Sequence, residues 1–254
     1  MASITLEQPD KFRIGRVFND SFAVIGRNPV LCLGLALIFS TLPRFVFALW
    51  FRNTVTNVEH GGPEFSVQRI ALTVVGAIGY IVLMSLLEVA LTRAAIEDLS
   101  GKRPSMRDCI GTAVALMLPA IGISLIVNIG FTVGLVLLVV PGFLLLVLWV
   151  VAIPVLIQEK LGVFASLGRS RDLSKGSRWS LLSLWFPLFV ALVATNFTLG
   201  RVLSHLGIPL VFFLDALARA VEQVVFSVAI AVSYVELRQV KEGTSVEDLA
   251  EIFS

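Results

Sequence analysis

Charge is spread so unevenly along this chain that the gaps between charges define its elements. From Cys109 to Gln158, 50 consecutive residues lack Asp, Glu, Lys and Arg, which is room for two membrane-crossing helices at about 20 residues each. Uncharged windows also cover Ile70–Leu87 and Trp179–Gly200. Two further apolar stretches are interrupted: Pro29–Phe51 holds Arg44, and Leu210–Val235 holds Asp215, Arg219 and Glu222. The pattern predicts six spanning helices over 29–51, 70–92, 113–138, 142–158, 179–201 and 210–236. The expected fold class is therefore all-α, a polytopic membrane helical bundle.

Short segments between the windows carry a different periodicity. Ile14, Val17, Phe18, Ser21, Phe22 and Ile25 recur at helical spacing, with Arg13, Arg16, Asp20 and Arg27 on the other side. This predicts a basic amphipathic helix within residues 1–28 that lies in the membrane interface; the same stripe could instead pack on the bundle. Asn28-Pro29 then turns the chain into the bilayer. Ser105-Met-Arg-Asp108 has the form of a capping box that opens a second short helix, and Val163–Ser174 reads as a third. Each leads into a pair of spans, so the chain reads as three units of interfacial helix plus transmembrane hairpin. Thr244-Ser-Val-Glu247 predicts a last short helix. The expected organisation is an interfacial helix in 1–28, a six-span membrane domain over 29–240 and a cytoplasmic helix in 241–254.

Orientation follows from basic residues. With six spans, residues 1–28, 93–112, 159–178 and 237–254 share one face, which carries fifteen Lys and Arg against three on the other. The positive-inside rule makes that face cytoplasmic, with both termini inside. Within it, Arg13, Arg16, Arg27, Arg169, Arg171, Lys175 and Arg178 are candidate contacts to lipid headgroups. Residues 1–28 lack the apolar core and cleavage site of a secretory signal. Cys32 and Cys109 have no metal or redox spacing and read as packing residues.

Composition agrees: hydrophobic residues make up 57% and charged residues 15%, against about 45–50% and 25% in soluble globular chains. A soluble enzyme, a disordered chain and a nucleic-acid binder are not expected on that ground.

The run Val140-Pro-Gly-Phe-Leu-Leu-Leu-Val-Leu-Trp149, with Ala152-Ile-Pro-Val155 and Glu159, has a familiar form. So do Leu161-Gly-Val-Phe-Ala-Ser-Leu-Gly-Arg169-Ser170, Leu173-Ser-Lys-Gly176-Ser-Arg-Trp179 and Tyr234-Val-Glu-Leu-Arg238. These segments resemble the membrane-domain family named after glycerophosphoryl diester phosphodiesterases and related bacterial six-span proteins, best over 135–185 and 230–243. In the members that give the family its name, this membrane part is fused to a catalytic barrel of about 250 residues. The sequence offers no such barrel, so the resemblance implies the membrane fold and not the enzymatic activity. The same segments have physical readings. Pro141-Gly142 should break the helix between spans three and four, Pro154 should kink span four, and Gly176 should end the helix of 163–175.

Ionisable residues within spans are functional candidates because their burial in lipid is unfavourable. Asp215, Arg219 and Glu222 fall at i, i+4 and i+7 on one helical face. At 1.5 Å per residue, Asp215 lies about 9 Å and Arg219 about 15 Å below Pro209. Arg44 reaches a similar depth in the outer half of span one. The spacing suggests that Arg44 pairs with Asp215 and Arg219 with Glu222, in a polar patch or outward-facing cavity. The alternative is a set of charges that reach the outer headgroups, with Arg44 snorkelling. Glu88 falls near the inner interface, within reach of Thr92 or Arg93, in a solvated structural role. No phosphate loop, metal motif or nucleophile elbow occurs, and His60 and His205 are isolated, so neither a cofactor nor a metal is expected. The expected function is that of a non-enzymatic membrane protein of a prokaryotic cytoplasmic membrane. It would engage anionic lipid or organise a membrane-protein partner, with homo-oligomerisation open. A small-solute or ion transporter or channel built on Arg44, Asp215, Arg219 and Glu222 is the alternative, and an enzyme acting on lipid headgroups ranks last. A cavity reaching those four residues would favour transport.

Overall fold

Prolines set the first breaks in the chain. Helix α1 (Ile14–Arg27) stops at Asn28, whose φ of −127° and ψ of 48° leave the helical region, and Pro29 opens α2 (Pro29–Ala36). Leu37–Thr41 then widens into a π-helical turn in which the Leu42 N–H donates to the Leu37 carbonyl, five residues back. Pro43 follows at once and has no N–H of its own to continue an α-helical ladder. Helix α3 (Leu42–Glu59) completes the first crossing. The computed structural model describes residues 12–59, 67–137, 139–203 and 208–242. The tail helix expected in 241–254, His60 and His205 lie largely or wholly outside them.

The remaining elements are α4 (Val67–Leu99), α5 (Met106–Ala115), α6 (Met117–Leu137), α7 (Val139–Trp149), α8 (Ala152–Glu159), α9 (Val163–Ser174), α10 (Arg178–Leu203) and α11 (Ile208–Glu242). Among the described residues there are helices and no strands. Six segments are long and apolar enough to cross a membrane: Pro29–Trp50, Ala71–Leu99, Met117–Val136, Val140–Glu159, Arg178–Leu199 and Leu210–Glu242. The chain is an all-α, multi-pass membrane bundle. Three short helices, α1, α5 and α9, each lead into a pair of spanning segments.

Three local expectations need correction. The break between the third and fourth spans falls ahead of Pro141-Gly142, which sit inside the first turn of α7. A proline is tolerated there because first-turn N–H groups have no partner within the helix. Gly142 serves close approach instead: a Cβ on it would come within 2.8 Å of the Leu135 backbone nitrogen of α6. The capping box at Ser105 forms no side-chain cap, although the Cys109 N–H does donate to the Ser105 carbonyl at 3.0 Å. Helices α4 and α11 also run past residues 92 and 236, to Leu99 and Glu242. Pro154 does interrupt span four: α7 ends at Trp149 and α8 begins at Ala152. In α9, Ser170 donates its hydroxyl to the Leu148 carbonyl beside that break, at 2.9 Å. Gly176 follows α9 with φ +94°, the left-handed conformation expected of it.

Burial orders the bundle. In the last span 61% of the apolar window is buried, and 56% in the fourth, against 17% in the third and fifth. The C-terminal part of α11 and α8 thus form the centre, packed with Tyr234, Leu237, Leu156, Leu87 and Leu91. The outer helices turn Val75, Ile78, Leu118, Val136 and Phe197 outward, as a helix in hydrocarbon requires, since lipid solvates apolar side chains. The polar residues of α11 are carried by this central helix, and their geometry is therefore fixed by the core.

Candidate functional site

Helix α11 projects Asp215, Arg219, Glu222 and Gln223 along one face at three- and four-residue steps, the spacing that brings helical side chains together. The π turn and Pro43 lie directly ahead of Arg44 on the neighbouring α3. Single widened turns of this kind recur at functional sites because they displace the side chains that follow. Arg44 Nε lies 3.1 Å from Asp215 Oδ2, and its Nη1 donates to the Tyr80 hydroxyl of α4, also at 3.1 Å. Arg219 bridges two carboxylates of its own helix, with Nε 3.4 Å from Asp215 Oδ1 and Nη1 3.2 Å from Glu222 Oε2. The structure thus brings all four sequence candidates into one network. Asp215 is its hub, shared by both arginines.

The network borders a cavity of about 360 Å³ whose wall includes Ser40, Arg44, Tyr80, Glu88, Arg219, Glu222 and Gln223. Polar contacts within the wall are incomplete. Glu222 Oε1 and Arg219 Nε are buried and make no hydrogen bond, whereas Gln223 Nε2 donates to Ser227 Oγ at 3.3 Å. A second cavity, of about 160 Å³, is lined chiefly by Val127, Leu146, Trp149, Trp185 and Ile153. Glu88, Phe226 and Ile230 belong to both walls, so the two spaces adjoin.

Glu88 therefore does not have the setting expected of it. It is partly buried between the two cavities and accepts from Ser124 Oγ at 3.5 Å. Arg93 pairs one turn further on, with Glu97 at 2.7 Å, and the Thr92 hydroxyl is buried without a partner. Tyr80, Gln223 and Ser124 are site residues that the charge pattern passed over, being uncharged. One signal was present: Tyr80, Met84 and Glu88 recur every four residues and so share a face of α4.

The inner ends of the helices hold a second set of charges. Helix α1 packs on α11 through Val17, Ser21 and Val24, all buried, while Phe22 of its predicted stripe is exposed. Arg13 is exposed, yet its backbone N–H donates to Glu236 Oε1 at 3.2 Å, and Arg16 Nη1 pairs with Glu236 Oε2 at 3.4 Å. Arg27 Nε donates to Asp98 at 2.9 Å, which raises the pKa of its guanidinium above the usual value. Arg169 pairs with Glu159 at 3.0 Å and with Glu242. Arg171 and Lys175 are exposed and form no ion pair among the described residues, and Arg178 is half-buried with its Nε unpartnered. Of the seven candidate headgroup contacts, three are thus held by carboxylates of the protein itself.

Among the described residues no group of three His, Cys, Asp or Glu is placed to hold a metal ion. No family model matches the chain, and no curated protein or solved structure does either.

Proposed function

We propose that this chain binds a small polar solute inside the membrane and moves it across, as a carrier or channel. One observation supports this reading above others: a cavity of about 360 Å³ among the spanning helices, walled by Arg44, Tyr80, Glu88, Arg219, Glu222 and Gln223. Its volume falls within the range of about 300–1,000 Å³ typical of small-ligand sites. Charged groups at this depth are unfavourable unless they serve a pathway or pair with one another, and here the pairing leaves acceptors over. The basic face supports a reading with both termini in the cytoplasm, and the membrane would be the cytoplasmic membrane of a prokaryote. The resemblance to phosphodiesterase membrane domains fits a membrane module that performs no hydrolysis itself.

A second reading, engagement of anionic lipid or a membrane partner, draws on Arg171 and Lys175, exposed and free of ion pairs among the described residues, and on Trp179, exposed where α10 begins. Solvent access to the cavity separates the two. Met84→Cys and Gln223→Cys, each in a background without Cys32 and Cys109, are to be treated in sealed vesicles with a small membrane-impermeant thiosulfonate. The native thiols are both buried, and burial pushes that of Cys109 up to about 12, so their replacement removes little reactivity. Reaction at both positions from at least one face is expected. If both stay unmodified from either face while Arg171→Cys reacts, the transport reading fails.

A further inference from the structure

The charges of the cavity wall and of the ion-pair network beside it do not balance, and the imbalance names a ligand class. Two guanidiniums, Arg44 and Arg219, stand against three carboxylates, Glu222 and Glu88 in the wall and Asp215 beside it. Every ion pair in the group involves Asp215 or Glu222; Glu88 has none among the described residues. Both arginines are ion-paired, to Asp215 and Glu222, and Arg44 also donates to Tyr80, although Arg219 Nε, 3.4 Å from Asp215 Oδ1, makes no hydrogen bond. On the carboxylates, acceptor capacity remains open: Glu222 Oε1 is buried and unpartnered, and Glu88 Oε2 has Ser124 at 3.5 Å. An anion entering this space would find both guanidiniums already ion-paired and an excess of carboxylate. A cation would find two carboxylates on opposite helices, α4 and α11.

We infer that the cavity takes a small organic cation, its ammonium between Glu88 and Glu222 and its apolar body in the adjoining cavity. This rests on the solute-binding reading and narrows it. The second space, of about 160 Å³, is walled by Val127, Leu146, Trp149 and Trp185 and opens beside Glu88. Phe226 stands at the junction of both cavities, where an aromatic face attracts an ammonium. A bare metal ion is poorly served by this arrangement, since the described residues offer no cluster of three ligands. When the site is empty, a proton on Glu88 can balance the charge, so proton and cation compete for the same group. The groups facing Glu88 are Arg44 from α3, Tyr80 from its own helix, Ser124 and Asn128 from α6, Trp185 from α10, and Arg219, Glu222 and Gln223 from α11. Both arginines among them are already ion-paired, with Asp215 or Glu222.

The test uses the full chain in phosphatidylcholine nanodiscs and phenethylammonium as the probe, titrated calorimetrically against empty discs. Saturable one-to-one binding is expected, weakened at least tenfold by Glu88→Gln and restored to within a few-fold of wild type by Glu88→Asp. Glu222→Gln should weaken it as well. Affinity should fall as the pH is lowered, because the proton displaces the cation, and 3-phenylpropionate, with the same ring and a carboxylate, should not bind. Melting temperature and size-exclusion profile establish that each variant is folded. Absence of saturable binding by the wild type, equal affinity in both Gln variants, or preference for 3-phenylpropionate would overturn the inference. If thiosulfonate still reaches positions 84 and 223 in that case, the solute-binding reading stands and only the cation assignment is lost.

Discussion

The protein holds two charged regions built on the same helix, and they are finished differently. At the inner end of α11, the carboxylate of Glu236, 3% exposed, has both oxygens occupied, by the Arg13 amide and the Arg16 guanidinium. Nearby, Glu159 receives Arg169 and the Tyr234 hydroxyl, and Glu242 receives Arg169 and Arg238. Further along α11, around Asp215, both arginines are ion-paired, yet three carboxylates stand against them, and Glu222 Oε1 and Arg219 Nε are buried without a hydrogen bond. Buried polar groups are normally satisfied, because leaving one unmade costs about 1–3 kcal/mol. The carboxylates of the inner region obey that rule and clamp α1, α8 and α9 to α11, although Thr92 Oγ1, Arg178 Nε and Ser233 Oγ are unpartnered there. The Glu222 carboxylate departs from it, and departures of this kind are expected at functional or strained sites.

The contrast is broken most forcefully at Glu236. Glu236→Ala leaves the Arg13 amide and Arg16 without their acceptor against a buried wall, and a loss of about 3 kcal/mol is expected. Thermal unfolding in detergent measures it, and phenethylammonium binding well below the melting transition should be unchanged. A small shift would show that the inner clamp contributes little to holding α1.

Asp215 comes next. It serves both Arg44 and Arg219, so Asp215→Asn should destabilise by about 2 kcal/mol and Arg44→Gln by about half as much. In the double variant the losses should fall short of additive by about 0.5–1 kcal/mol, the signature of a direct pair. Exchanging the charges of residues 44 and 215 should rescue only in part, because an arginine at 215 would face Arg219 one turn away. Full additivity in the double variant would mean that the 3.1 Å contact carries no energy.

Much of this architecture could be read from the chain. The six crossings are visible because nothing else explains 50 residues without a charge. Arg44 and Asp215 could be matched from rise per residue alone, since two helices that cross one slab share its depth scale. What the sequence could not give was partnership through space. Phe22 sits in the apolar stripe of α1 and yet faces outward, because the docking surface of α11 selects Val17, Ser21 and Val24. Periodicity defines a face about 100° wide but not which edge of it meets a neighbour. Glu88 shows the same limit: its sequence neighbours Thr92 and Arg93 point to a solvated interface, whereas Ser124 of α6 and the cavities decide its surroundings.

Glu88 also gives the prediction that separates the two regions by sign. Removing a carboxylate from the inner clamp should destabilise. Glu88→Gln removes the odd carboxylate of the cavity and leaves two guanidiniums facing two carboxylates. Unfolding of the ligand-free protein at neutral pH should therefore show no loss and a gain of up to about 1 kcal/mol, the usual cost of keeping a site functional. A loss comparable to that of Glu236→Ala would mean that Glu88 is structural, and the contrast would collapse.

The smallest effect is expected at the edge of the inner region, and it tests whether geometry there can be mistaken for energy. Arg27 donates from Nε to Asp98 at 2.9 Å, and Asn28 Nδ2 donates to the other oxygen at 2.6 Å. By distance this pair is better than that of Arg16 with Glu236, at 3.4 Å. Arg27 is 54% exposed, however, so water competes for its guanidinium and salt screens what remains. Arg27→Ala should destabilise by less than about 1 kcal/mol, and the difference should shrink between 50 mM and 500 mM salt. Asp98→Ala, which also strands Asn28 at the turn into the membrane, should exceed it. If Arg27→Ala instead matched Glu236→Ala, the governing variable would be contact distance and not burial, and the ranking of these variants would have to be redrawn.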